Sequence, residues 1–168
     1  MKMVENEDVV AAIAGIEPGS ALANVVAGRA DIMGLTQQTH DGALTPEHPG
    51  GLSHAERAAL ALRIAKINDH KAFEDHFEAM LDKAGAPDAA ARLADIWFDG
   101  GSDLRAKALI RHVDLVAHAP KNATRRDIEL LQEAGIADAD IVRLSELVAF
   151  VSYQIRVAVG LQLMRGLV

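Results

Sequence analysis

The sequence predicts an all-α fold. Three observations carry this reading. Of the 168 residues, 31 are alanine, the residue with the best intrinsic helix propensity; only six are aromatic; and no segment shows the strict alternation of a half-buried strand. Half of the residues are apolar, a composition that suits closely packed helices. A chain of this length fits one domain that buries about 70% of its unfolded surface.

The first 52 residues are the least regular. Short helical patterns near Asp8 to Ala14 and Ser20 to Ala27 are followed by a stretch rich in turn formers, and Thr45-Pro46-Glu47-His48-Pro49-Gly50-Gly51 reads as a loop. We read residues 1–52 as an arm of short helices and irregular chain packed on the same domain, and residues 53–168 as its helical core. The core opens on a capping box: Ser53 with Glu56 three residues on, each side chain able to satisfy the other's free backbone N–H. Leu60, Ile64 and Ile67 then recur at helical spacing up to Asn68-Asp69. Phe73, Phe77, Met80, Leu81 and Ala84 share one face of the next helix, which Gly85 and Pro87 close, so the two helices form a hairpin.

A short helix is expected from Asp88 to Phe98, broken by Gly100-Gly101. Another runs from about Asp103 to His118 with Leu109, Val113 and Val116 inward, and Pro120 ends it. Thr124 with Asp127 three residues later caps a further helix, closed at Gly135. From Asp138, the positions Ile141, Leu144, Val148, Val151 and Ile155 repeat at helical spacing in a long final helix sustained to about Leu163.

Charge and composition exclude several functions. A net charge of −7 without a Lys/Arg cluster argues against nucleic acid, whose binding needs a basic stripe that releases counterions. The acidic start from Met1 to Asp8 is the opposite of a signal peptide, and the weakly charged run from Glu146 to Arg156 is half the length of a bilayer span, so a cytoplasmic protein without a membrane partner is expected. There is no cysteine. Thiol and disulfide chemistry are therefore closed to this chain.

That absence matters because of a resemblance. Leu52-Ser53-His54-Ala55-Glu56-Arg57 and the residues through Asn68 resemble the opening helix of alkylhydroperoxidase D-like proteins. Asp127-Ile128-Glu129-Leu130-Leu131-Gln132-Glu133-Ala134-Gly135-Ile136, followed by Asp140-Ile141-Val142 and by Val148-Ala149-Phe150-Val151-Ser152-Tyr153-Gln154-Ile155-Arg156, resembles the signature of their peroxidase-related branch. The resemblance implies a cysteine-free subgroup of the carboxymuconolactone decarboxylase-domain superfamily. It also implies a homo-oligomer, a dimer, trimer or hexamer built through helical hairpins.

In the family's peroxidases a Glu, two Cys and a His make the redox site. Those positions fall here on Ala58, His70, Phe73 and Phe77, so none of the four matches. His76 stands one residue short of the family's His, about 100° away around a helix. The superfamily also has a decarboxylase branch whose cofactor-free proton chemistry does not rest on a cysteine pair, so loss of the thiols leaves an enzyme open.

Four side chains are candidates for such chemistry. Histidine as a residue type ordinarily titrates near neutral pH, so His70 or His76 could serve as a general acid or base; their bland reading is a solvated, charged helix start. Glu56 stands beside the family's Glu position, although the capping box already accounts for it. Arg156 lies in an apolar helix and reads either as an anion-recognising group or as half of an ion pair across a helix or subunit contact. No metal is expected: the pairs His70/His76 and His112/His118 are six apart, not three or four, and His40, His48 and His54 lie in or beside the irregular stretch. No cofactor is expected. Trp97 and Phe98 read as core or interface anchors, and an exposed Trp97 would point to a partner surface.

Two functions follow from this reading. One is a cofactor-independent acid–base enzyme acting on a small organic substrate. The other is a non-catalytic homo-oligomeric binding or structural module derived from the peroxidase scaffold.

Overall fold

The structure is a computed structural model that describes residues 8–167, and among these every regular element is helical. Apart from Asp8, the acidic start read against a signal peptide lies outside the described residues. Asp8 caps α1 (Val9–Ala14) by accepting from the Ala11 amide at 2.9 Å, and Ser20 caps α2 (Ala21–Ala27) through the Ala23 amide at 3.1 Å.

The next element differs from expectation. Where turn formers were read, the chain makes a 15-residue helix, α3 (Ala30–Leu44), with no side-chain cap at its start. Its glycines and threonines are poor helix formers, but Thr36, His40 and Leu44 recur every four residues and are buried. Packing of that face supplies the stability that propensity does not.

α4 (His54–Ile67) is the centre of the molecule. Its capping box is formed: the Ser53 amide donates to Glu56 Oε2 at 2.8 Å, and the Glu56 amide donates to Ser53 Oγ at 3.2 Å. Every residue from Arg57 to Ala65 is buried, as expected of a helix covered on all sides, and alanines at 58, 59, 61 and 65 let the neighbours approach closely. α5 (Lys71–Lys83) folds back on α4 to complete the hairpin, placing Phe73 and Phe77 in the core with no exposed surface. Burial of each ring contributes roughly 2–3 kcal/mol.

The segment read as helix from Asp88 to Phe98 is helical only in α6 (Asp88–Ala91) and a 3₁₀ turn at Arg92–Ala94. Two competing sets of hydrogen bonds stop it. Asp95 Oδ1 takes the Trp97 amide at 2.9 Å, and the buried Arg63 guanidinium draws in the carbonyls of Asp95 and Phe98, at 2.5 and 3.3 Å. α7 (Leu104–His118) is capped by Asp103, α8 (Arg125–Glu133) by the Thr124/Asp127 box, and α9 (Asp138–Arg165) closes the fold with 28 residues.

α1, α3, α4, α7 and α8 all pack on α9, whose inner face buries Ile141, Leu144, Val148, Val151 and Ile155. By length and composition alone α9 is apolar enough to cross a membrane, with a mean hydropathy of 1.5 over its most apolar window. Its inner face is instead the floor of this core.

Candidate functional site

Four elements meet at one polar cleft. α3 supplies Gln37, His40 and Asp41; α4 supplies His54 and Ala58; α5 supplies His76, Met80 and Lys83; and Val9 of α1 closes one side. The space measures about 380 Å³, within the range that holds a small organic ligand (~300–1,000 Å³).

Two imidazoles in the cleft touch. His40 Nε2 lies 3.3 Å from His76 Nε2, and the ring centroids are 5.1 Å apart. His40 is only 4% exposed, and its other nitrogen, Nδ1, lies 3.1 Å from Oε1 of the fully buried Gln154 on α9. The hydrogen-bond chain dictates tautomers. If His40 Nδ1–H donates to Gln154 Oε1, then His40 Nε2 must accept from His76 Nε2–H, and the free lone pair sits on His76 Nδ1. Turning the Gln154 amide over reverses every proton in the chain. Gln154 Nε2 is the buried polar atom that the present orientation leaves without a partner, so both arrangements leave one Gln154 atom unsatisfied and neither is locked.

The electrostatics keep the pair uncharged. Burial pushes the His40 pKa down, against weaker upward effects of the Gln154 hydrogen bond and the Asp41 charge. His76 is lowered to about 4, first by burial and then by the neighbouring His40. A proton arriving at His76 Nδ1 would release the His76 Nε2 proton to His40 Nε2 without moving either ring.

The rest of the cleft is braced. Gln37 accepts the Val9 amide at 2.9 Å and donates to Asp41 Oδ1 at 2.9 Å, tying α1 to α3. His54 Nε2–H donates to the Pro46 carbonyl at 2.8 Å. Among the described residues no three His, Cys, Asp or Glu side chains are arranged to hold a metal ion.

Of the four residues singled out in the sequence, the structure brings only His76 to this cleft. His70 is buried, not solvated: it caps α5, accepting the Phe73 amide at Nδ1 at 3.4 Å, and its Nε2 has no partner. Glu56 is held by Ser53 and by an ion pair with Arg105. Arg156 is not near a core but exposed on the outer side of α9, and no salt bridge among the described residues engages it.

Sequence reasoning missed His40. A usable signal was present in the inward spacing of Thr36, His40 and Leu44, but two of the three positions are polar, and an apolar-periodicity search does not register them. Ala58, aligned above with the family's Glu, lines the same cleft, while Phe73 and Phe77, aligned with a Cys and the His, are core.

A larger groove, about 610 Å³, lies elsewhere between α7, α8 and the 95–99 turn, with Trp97 at its rim 88% exposed. Size does not make it the better site. Two of its cations are already engaged, Arg63 with Asp114 at 2.6 Å and Arg111 with Asp127 at 3.1 Å. It also contains no histidine, the side chain best suited to proton transfer near neutrality.

Fold and cleft together define an all-helical bundle with a histidine pair at the junction of α3, α5 and α9. The same fold is found in the crystal structure of an uncharacterized peroxidase-related protein from Silicibacter sp. TM1040, with a TM-score of 0.67 and 20% identity over 78% of this chain and 68% of that one. At that identity the likeness is one of fold alone. No family model and no curated protein matches the sequence.

Proposed function

We propose that the His40–His76 cleft is a thiol-free acid–base site that moves a proton on a small organic anion. The observation that carries this reading is the 3.3 Å contact between a buried and a half-buried imidazole lining a cleft, the buried one held by a buried amide. A pair placed only for packing would not need a hydrogen-bonded chain running from cleft wall to core.

An empty cleft holds His76 at a pKa of about 4, too low for an efficient base at neutral pH. A bound carboxylate or enolate favours imidazolium and raises that value, so substrate itself arms the base. Lys83 at the rim adds a cation for the same anion. The chemistry needs no metal, flavin or thiol, only an acidic C–H or a departing carboxylate whose carbanion is reprotonated by the same pair.

The test is solvent-deuterium incorporation and decarboxylation, followed by NMR across pH 5–9, on lactones and β-keto acids. The intact protein should turn over at least one of these classes, with His76→Asn and His40→Asn each about 100-fold slower. Identical traces for all three proteins would remove the pair from any catalytic role. Ligand binding without turnover would make the cleft that of a binding module.

A further inference from the structure

α9 (Asp138–Arg165) has a second face, opposite the one on the core. Val142, Glu146, Ala149, Tyr153, Arg156 and Gly160 follow one another at alternating steps of four and three residues, Leu163 continues the series, and all are exposed. Val142 is 56% and Leu163 68% exposed. Steps of four and three define the narrow seam by which one helix packs along another. At Gly160 the seam is open among the described residues: a Cβ placed there would meet no atom within 4 Å.

The charges in the seam say what does. Glu146 and Arg156 are its two charged members, and no salt bridge among the described residues engages either. Against a parallel copy of α9, Glu146 would face Glu146 and Arg156 would face Arg156. Against an antiparallel copy centred on Val151, each Glu146 faces the other copy's Arg156, since the two lie equally far on either side of that residue. The same register sets Ala149 against Tyr153, Val142 against Gly160 and Ala139 against Leu163, a large side chain meeting a small one at every step. One register satisfies charge and volume together.

We propose that the protein forms a two-fold dimer by antiparallel pairing of α9 with α9 of a second copy. A two-fold interface uses the same patch twice, as self-complementary charge and volume require. The shallow groove of about 520 Å³ beside the seam, lined by Thr39, Gly42 and Phe150 among others, takes the flank of the partner helix. Tyr153 joins this surface to the rest of the fold through its hydroxyl contact with Thr36 at 3.2 Å. The inference is independent of the acid–base reading, because none of the seam residues lines the histidine cleft.

Sedimentation equilibrium on the full chain tests it, with circular dichroism to verify that each variant is folded. The wild type should have the mass of a dimer. Glu146→Arg and Arg156→Glu should each weaken association by about tenfold or more, because each turns two attractive contacts into repulsive ones. The double variant Glu146→Arg/Arg156→Glu should recover the wild-type affinity. A monomeric wild type, an assembly indifferent to both single reversals, or a double variant that stays dissociated would each overturn the proposal. So would co-sedimentation of the wild type, but not of Leu163→Glu, with phosphatidylcholine vesicles, which would make the seam a lipid contact.

Discussion

Arg57 shows how a buried charge is satisfied without a counter-ion. It is 2% exposed and gives hydrogen bonds to three backbone carbonyls, Leu52 at 2.9 Å and Ala43 and Pro49 at 2.8 Å each, fastening the loop before α4 to the end of α3. Burial lowers its pKa from the usual guanidinium value. Replacement by methionine keeps most of the volume but takes the donor from three carbonyls, one buried and two half-buried, so Arg57→Met should cost about 3 kcal/mol in urea denaturation. The sequence contained no sign of this role, because the partners are main-chain atoms of a loop whose path is set by the fold. His76, by contrast, was legible as a candidate from its type and its place beside the family's site. Its partner was not, since a histidine contact 36 residues away has no local pattern.

At the scale of elements, caps and stops were the most legible features. Ser53/Glu56, Thr124/Asp127 and Asp103 act within one turn, so the residues that end or begin a helix are also its neighbours in the chain. α3 was not legible, because its stability comes from what it packs against. Between the 3₁₀ turn and α7, Gly100 has φ 97°, and a Cβ there would lie 2.5 Å from the Lys107 amide nitrogen. Gly100→Ala therefore combines backbone strain with a main-chain clash and should destabilise the protein by about 2 kcal/mol, read from the urea midpoint. A neutral result would mean that the start of α7 can shift to make room.

For the whole molecule, the histidine pair couples stability to pH. The His76 pKa is lowered from 6.5 to about 4 on folding, so between those values the unfolded chain binds a proton that the folded one refuses. Stability is then fully present above pH 6.5 and lost as the pH falls toward 4, with His40 acting in the same direction. After allowance for the solvent that still reaches His76, the loss should be about 2 kcal/mol. Urea midpoints at pH 7 and pH 4.5 measure it, and His76→Asn should flatten the dependence. A wild-type midpoint unchanged between the two would show that the pair is not held neutral by burial.

The sequence by itself determined the all-α class, the hairpin, the capped helix starts and the exclusion of thiol chemistry, because propensity, capping and composition act locally or need no fold at all. Only the tertiary structure decided that His40 meets His76 and that Gln154, 114 residues away, holds the other side of His40. It also turned one face of α9 inward and left Glu146 and Arg156 outside. The physical reason is range: capping and periodicity operate over three or four residues, whereas the site is made by the packing of α3, α5 and α9, and that packing is settled by burying the core between them.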